Sequence, residues 1–185
     1  MSTIRLCTLN VRGLNDYAKR KKLFLWLQNK NIDITFIQES FCKDDKVNIF
    51  NSSWPGTIFH CTTDSPHSRG VAIMIRRDFA FSLIDQHVSD DGRRLMINVK
   101  IKNQIFTFIN LYAPTVESTR KDFFNRVNKW VKQYALTEVN IYIAGDFNCC
   151  LRDIDRNSKL HLNDKSRNSL AKLIKDNYLT DIWSS

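Results

Sequence analysis

Proline and glycine are scarce in this 185-residue chain, at 3 and 5 residues. That scarcity excludes collagen-like and Pro/Gly-rich low-complexity classes. No internal repeat or linker breaks the sequence, so residues 1–185 read as one domain, long enough to bury a substantial core. No apolar run approaches the length of a bilayer span, and the N-terminus lacks a signal-peptide pattern. There is no C-x-x-C among Cys7, Cys42, Cys61, Cys149 and Cys150. An odd count without that motif argues for free thiols in a reducing compartment, nuclear or cytosolic. The histidines His60, His67, His87 and His161 show no zinc-like spacing. Negative charge is also short: 19 Asp and Glu stand against 28 Lys and Arg, a net charge of +9. That surplus favours a polyanionic partner, nucleic acid first.

What is present is a series of apolar strands with polar tips. Val139 to Ala144 is rich in β-branched and aromatic residues and reads as a buried strand. Gly145 marks its exit, and Asp146 and Asn148 follow at its C-terminal mouth, where α/β sheets meet their ligands. Ile4 to Asn10 is a strand closed by Asn10. Asp16 is placed to cap a helix over residues 16–29, whose Lys19-Arg20-Lys21-Lys22 run reads as a solvated face. Ile32 to Ile37 is a further strand, ending in Gln38-Glu39. Residues 51–66 read as an aromatic loop, and Arg69-Gly70 leads into a strand through Ile75. Asp90-Asp91-Gly92-Arg93 is a hairpin signal. It leads to Leu95–Ile101, and Asn103-Gln104 then turns into Ile105–Tyr112, which Pro114 stops. Ser118 to Leu136 is an amphipathic helix with Ser118 as its cap and Phe124, Val127, Val131 and Tyr134 on one face. Arg152 to Leu162 reads as a polar loop, and Asp164 to Asn177 as a shorter helix. Strands this apolar need cover on both faces. The expected class is therefore α/β, with two mixed sheets packed together and helices outside.

Five of these tips carry polar groups: Asn10, Glu39, Tyr112, Asp146 and Asn148. Phosphodiester hydrolysis needs such a set. A hard cation such as Mg²⁺ takes oxygen ligands and often only one or two carboxylates, which Glu39 and an amide oxygen from Asn10 can supply. Asp146 can orient or deprotonate a water, Asn148 can fix its geometry, and Tyr112 can donate to a phosphate oxygen where charge grows.

The ordered motifs Thr8-Leu9-Asn10-Val11-Arg12-Gly13, Ile37-Gln38-Glu39, Arg69-Gly70-Val71-Ala72-Ile73, Asn110-Leu111-Tyr112-Ala113-Pro114 and Gly145-Asp146-Phe147-Asn148 resemble the endonuclease/exonuclease/phosphatase superfamily. Within it they are most similar to the apurinic-like endonuclease domain of LINE-type non-LTR retrotransposons. Ile154-Asp155-Arg156 and the ending Leu179-Thr180-Asp181-Ile182-Trp183 share that likeness. The resemblance implies a four-layer sandwich of two mixed β-sheets flanked by helices. It also implies nicking of double-stranded DNA with Mg²⁺ (Mn²⁺ being the alternative) and a 3′-hydroxyl that primes reverse transcription. Action in the nucleus, a fused reverse transcriptase and DNA contacts from Arg12, Arg93, Thr115 and Arg156 complete the expectation. Thr115 stands where the family often carries Asn. The family's Ser-x-Ile-Asp strand and closing Ser-Asp-His are not found in the sequence. The expectation is therefore a C-terminally incomplete domain that lacks the last strands, nicks poorly alone and exposes apolar edges that lower its solubility. Two other functions fit the same residues: a DNA-binding module without chemistry, and a phosphatase acting on small phosphorylated substrates or inositol lipids.

Overall fold

The structure is a computed structural model that describes residues 3–64, 67–136, 139–152 and 164–182. The chain divides into two compact units, one formed by Met1–Tyr112 with Glu138–Asp146, the other by Ala113–Thr137 with Phe147–Ser185.

The first unit holds eight strands in two four-stranded sheets. The first sheet has the order β1 (Leu6–Asn10), β2 (Ile34–Gln38), β4 (Val71–Ile75), β3 (Thr57–Cys61). β1 and β2 run parallel, and the other pairs are antiparallel. The second sheet follows chain order: β5 (Ser82–Val88), β6 (Arg94–Ile101), β7 (Gln104–Tyr112), β8 (Asn140–Asp146). Only its β7–β8 pair is parallel. Both sheets are mixed, as the sequence led us to expect.

Alternation along the strands builds the core. Ile34, Phe36, Val71, Ile73 and Ile75 meet Leu95, Ile97, Val99, Phe106 and Phe108 in one cluster. The alternate residues Ile37, Ala72 and Met74 join Phe24 and Leu27 of α1 (Tyr17–Asn29) and Phe50 of α2 (Val47–Ser53). The central strands β2 and β4 are thus buried on both faces, which is why they read as unbroken apolar runs.

The second unit packs α3 (Glu117–Tyr134) against α4 (Ser166–Asp176). Phe123, Phe124, Val127 and Val131 are buried with Leu170 and Leu173.

Several elements differ from expectation. Residues 51–66 contain the end of α2 and all of β3, and Trp54 is buried with its indole N–H on the Ile75 carbonyl, 3.0 Å. β5 is an added strand. It is an exposed edge with polar residues along it, so it carries little hydrophobic periodicity. Asp16 does cap α1, accepting from the Lys19 N–H at 2.7 Å. Ser118, by contrast, lies inside α3, whose cap position is Val116 and makes no side-chain cap bond. β8 is half-buried, not buried. Among the described residues it is an edge strand paired only with β7, and Tyr142 lines a groove of mixed polarity there with Ile4, Leu6, Gln104, Phe106, Phe108 and Asn140. Most of the expected 152–162 loop, including Asp155 and Arg156, lies outside the described residues.

Candidate active site

The tips of β1, β2, β7 and β8 converge in the first unit. Asn10 is the last residue of β1 and Glu39 follows β2. Tyr112 and Asp146 are the last residues of β7 and β8, and they are register partners. Parallel pairing of β1 with β2 and of β7 with β8 sends these ends the same way.

One amide organises the cluster. The Asn10 side-chain nitrogen donates to Glu39 Oε1 at 2.8 Å and to Asp146 Oδ2 at 2.9 Å. Its oxygen accepts the Arg12 N–H at 3.2 Å. Two carboxylates from different sheets are thereby held on one neutral group. Tyr112 hydrogen-bonds Glu39, and burial, that bond and the nearby carboxylate raise its phenol to about 12. The hydroxyl therefore remains a proton donor far above neutral pH.

Backbone contacts fix the loops that carry these groups. Gly13 N–H donates to the Glu39 carbonyl at 2.6 Å, Ser40 N–H to Gly70 at 2.9 Å, and Gly70 N–H to Gly92 at 3.0 Å. Gly70 has φ +78°, and a Cβ there would stand 2.6 Å from Ser40 Oγ, so the approach needs glycine. Gly145, at φ +145°, leaves no room for a Cβ beside the Leu111 carbonyl. That close approach sets Asp146 beside Tyr112. Glu39 itself adopts φ +55° and Arg12 φ +48°, conformations that non-glycine residues rarely adopt.

Arg93 lies over the Tyr112 ring, with its guanidinium carbon 4.9 Å from the centroid. Its Nη1 donates to the Tyr112 carbonyl at 3.0 Å. Burial lowers its pKa and the nearby Arg69 adds to that, while Asp91, Tyr112 and Glu39 oppose it. Arg69 was read in the sequence only as part of a motif, and its place beside this group follows from the loop contacts. Arg12 is exposed.

Asn148 falls in the second unit. It has φ +47° and donates to the Ala113 carbonyl at 2.9 Å. Thr115, also in that unit, is exposed, and its carbonyl accepts from Arg120 Nη1 at 2.6 Å. The basic run on α1 is not simply a solvated face. Arg20 is buried, and the Lys19 ammonium donates to the carbonyls of Val11 and Arg12 at 2.6 and 3.1 Å.

Two mixed four-stranded sheets with strand tips bearing an amide, two carboxylates and a phenol define an α/β fold of the phosphoester-hydrolase kind. Residues 7–182 match the model of the Endonuclease/Exonuclease/phosphatase family, and the chain belongs to that family. It is 27% identical over 182 residues to the transposon TX1 uncharacterized 149 kDa protein of Xenopus laevis; the match covers 97% of this chain and 14% of that protein. Among solved structures it is similar to an AP endonuclease from Archaeoglobus fulgidus, with a TM-score of 0.71 and 20% identity over 94% of this chain and 70% of the other. It is also similar to TDP2 of D. rerio in complex with a single-strand DNA product, with a TM-score of 0.61 and 18% identity over 80% of this chain and 61% of the other. These structural likenesses show a shared fold, and the transposon relative fits the LINE-type resemblance of the motifs.

Proposed function

We propose that the chain is the endonuclease domain of a LINE-type retrotransposon, nicking one strand of double-stranded DNA to leave a 3′-hydroxyl that primes reverse transcription. The observation that carries this reading is the Asn10 amide held between Glu39 and Asp146. Two carboxylates sharing one amide support a reading in which Glu39 serves a cation and Asp146 a water. An all-oxygen pair on a neutral amide suits Mg²⁺, which needs only one or two carboxylates. Glu39 and Asn10 would hold that ion. When bound, it supplies positive charge against the phosphate oxygens.

The chain's own groups do the rest. Asp146 accepts the proton of a water that attacks phosphorus as the P–O3′ bond breaks, and the leaving O3′ oxygen takes its proton from solvent water. Tyr112, protonated at neutral pH and turned to Glu39, would swing its one hydroxyl proton to a phosphate oxygen as charge accumulates there. Arg12 and Arg93 are the proposed contacts to the DNA backbone. The family resemblance adds Asn148 as a water-orienting residue and Thr115 and Arg156 as DNA contacts. The net charge of +9 favours DNA over small phosphoesters. A fused reverse transcriptase and nuclear action belong to the same proposal.

The test is conversion of supercoiled plasmid to nicked circles, with end analysis for a 3′-hydroxyl. Slow nicking that requires Mg²⁺ is expected, with a loss of about 10²-fold or more in Asp146→Asn while DNA binding persists. Faster turnover of soluble phosphoesters than of plasmid would replace this reading with the phosphatase. Salt-dependent DNA binding with no cleavage would replace it with a binding module.

A further inference from the structure

The cluster between the two sheets is mainly apolar, and two buried amides meet within it. Gln38, on β2, is 1% exposed, and Asn110, on β7, is 0% exposed. Gln38 Nε2 donates to Asn110 Oδ1 at 2.7 Å. Asn110 Nδ2 donates to the carbonyls of Ile37 and Ala72, both at 2.8 Å. Ile37 and Ala72 are register partners on β2 and β4. One side chain of the second sheet is thus tied to two strands of the first.

The position of this tie matters. Gln38 is the register partner of Asn10 and immediately precedes Glu39. Asn110 pairs with Ala144, two residues before the Tyr112–Asp146 pair. The contacts from Asn10 to Asp146 and from Tyr112 to Glu39 close the site across the sheets, and they use Gln38's own register partner Asn10 and residues one or two positions further along the strands. Apolar packing is non-directional and resists sliding of one sheet on another only weakly. Directional bonds between buried groups resist it strongly, because breaking them leaves donors and acceptors unpaired.

We propose that Gln38 and Asn110 are positioning residues that lock the sheet-to-sheet register, so that the β1 and β2 tips meet the β7 and β8 tips at fixed spacing. The activity arm of this inference rests on the nuclease reading, while its geometric arm does not. Displacements near 1 Å at a reacting centre cost about 10²-fold in rate, so a register lock acts on turnover more than on binding.

The experiment uses Gln38→Met with Asn110→Leu, a pair that keeps volume and removes the polar bonds from both sheets together. Three quantities are read: the melting temperature, the plasmid nicking rate with its KM, and the Asn10 side-chain amide resonances, assigned by their loss in Asn10→Ser. The expected result is a cooperative melt at a lowered temperature, since the Ile37 and Ala72 carbonyls lose their donor, with nicking slowed about 10-fold or more at temperatures where the variant is fully folded, KM unchanged, and displaced Asn10 amide signals. Gln38→Met alone, which keeps both Asn110-to-carbonyl bonds, is read in the same way if the pair fails to fold; it should show smaller changes of the same kind. Unmoved Asn10 amide signals in a folded variant overturn the inference. So does slowed nicking that only tracks a lowered melting temperature. A parent chain without any nicking defeats the nuclease reading, and the amide signals still decide the register lock.

Discussion

Two buried arginines, one in each unit, make nearly the same contacts. Arg20 is the fourth residue after the α1 cap, and Arg120 is the fourth after the α3 cap. Arg20 Nη1 donates to the carbonyls of Leu14 and Asn15, six and five residues back, at 2.7 and 3.2 Å. Arg120 Nη1 donates to Pro114 and Thr115, again six and five back, at 3.1 and 2.6 Å. Each Nε turns to a serine elsewhere in its unit, Ser53 at 3.2 Å and Ser166 at 2.9 Å. Each therefore fastens the loop that joins a strand to its helix. They differ in what faces the rest of the guanidinium. Arg20 lies against the Phe50 and Tyr17 rings, 5.2 and 5.8 Å from their centroids. Arg120 is paired with Asp164 at 2.7 Å, and Asp164 is 2% exposed. The loop anchor works with or without a counter-charge, so the carboxylate adds a dependence on acid that the aromatic version lacks.

The largest effect should come from removing that carboxylate. Asp164→Ala leaves a buried guanidinium unpaired and should destabilise by about 3–5 kcal/mol in urea titrations. Arg20→Met, which strands two loop carbonyls but no charge, should cost about 2–3 kcal/mol. Equal losses would mean that the ion pair contributes nothing beyond the loop bonds.

Acid separates the two further. Burial raises the Asp164 pKa, but hydrogen bonds from Ser166 and Arg120 outweigh it and hold the carboxyl down to about 2. An unfolded Asp titrates near 3.9. The folded value lies below the unfolded one, so the stabilisation is complete above about pH 5 and fades as pH falls through 4 towards 2. It amounts to about 2–3 kcal/mol. The stability gap between the parent and Asp164→Asn should therefore narrow between pH 6 and pH 2.5. The gap for Arg20→Met should stay flat.

Neither arginine was legible as a loop anchor. Arg20 sits in a run of four cations, and Arg120 lies among the polar residues of an amphipathic helix, so composition alone places both in solvent. Burial of a guanidinium depends on carbonyls and hydroxyls supplied by distant turns, which local periodicity does not register. β2 and β4 were legible because strands buried on both faces are nearly all apolar, and β6 and β7 because alternating apolar residues flank clear turn signals. β5 and β8 were respectively missed and misread because an edge strand sees the core on one side only. Asn10, Glu39, Tyr112 and Asp146 stood out as polar tips on apolar strands, and the structure brings those four together. The Gln38–Asn110 tie did not stand out, since an amide pointing between sheets and one pointing at water look alike in a sequence. Asn148 was read as a fifth strand tip, but β8 ends at Asp146 and Asn148 belongs to the second unit, as does Thr115, which came from the family motif.

Glu39 occupies a left-handed backbone conformation at φ +55°, which costs a residue with a Cβ about 1 kcal/mol or more. Glycine or asparagine would rest there more comfortably. A laboratory lineage selected for heat resistance alone would be drawn to replace Glu39, and would grow sturdier as it lost its acid. Any stabilisation campaign on this scaffold has to screen for cutting at every round.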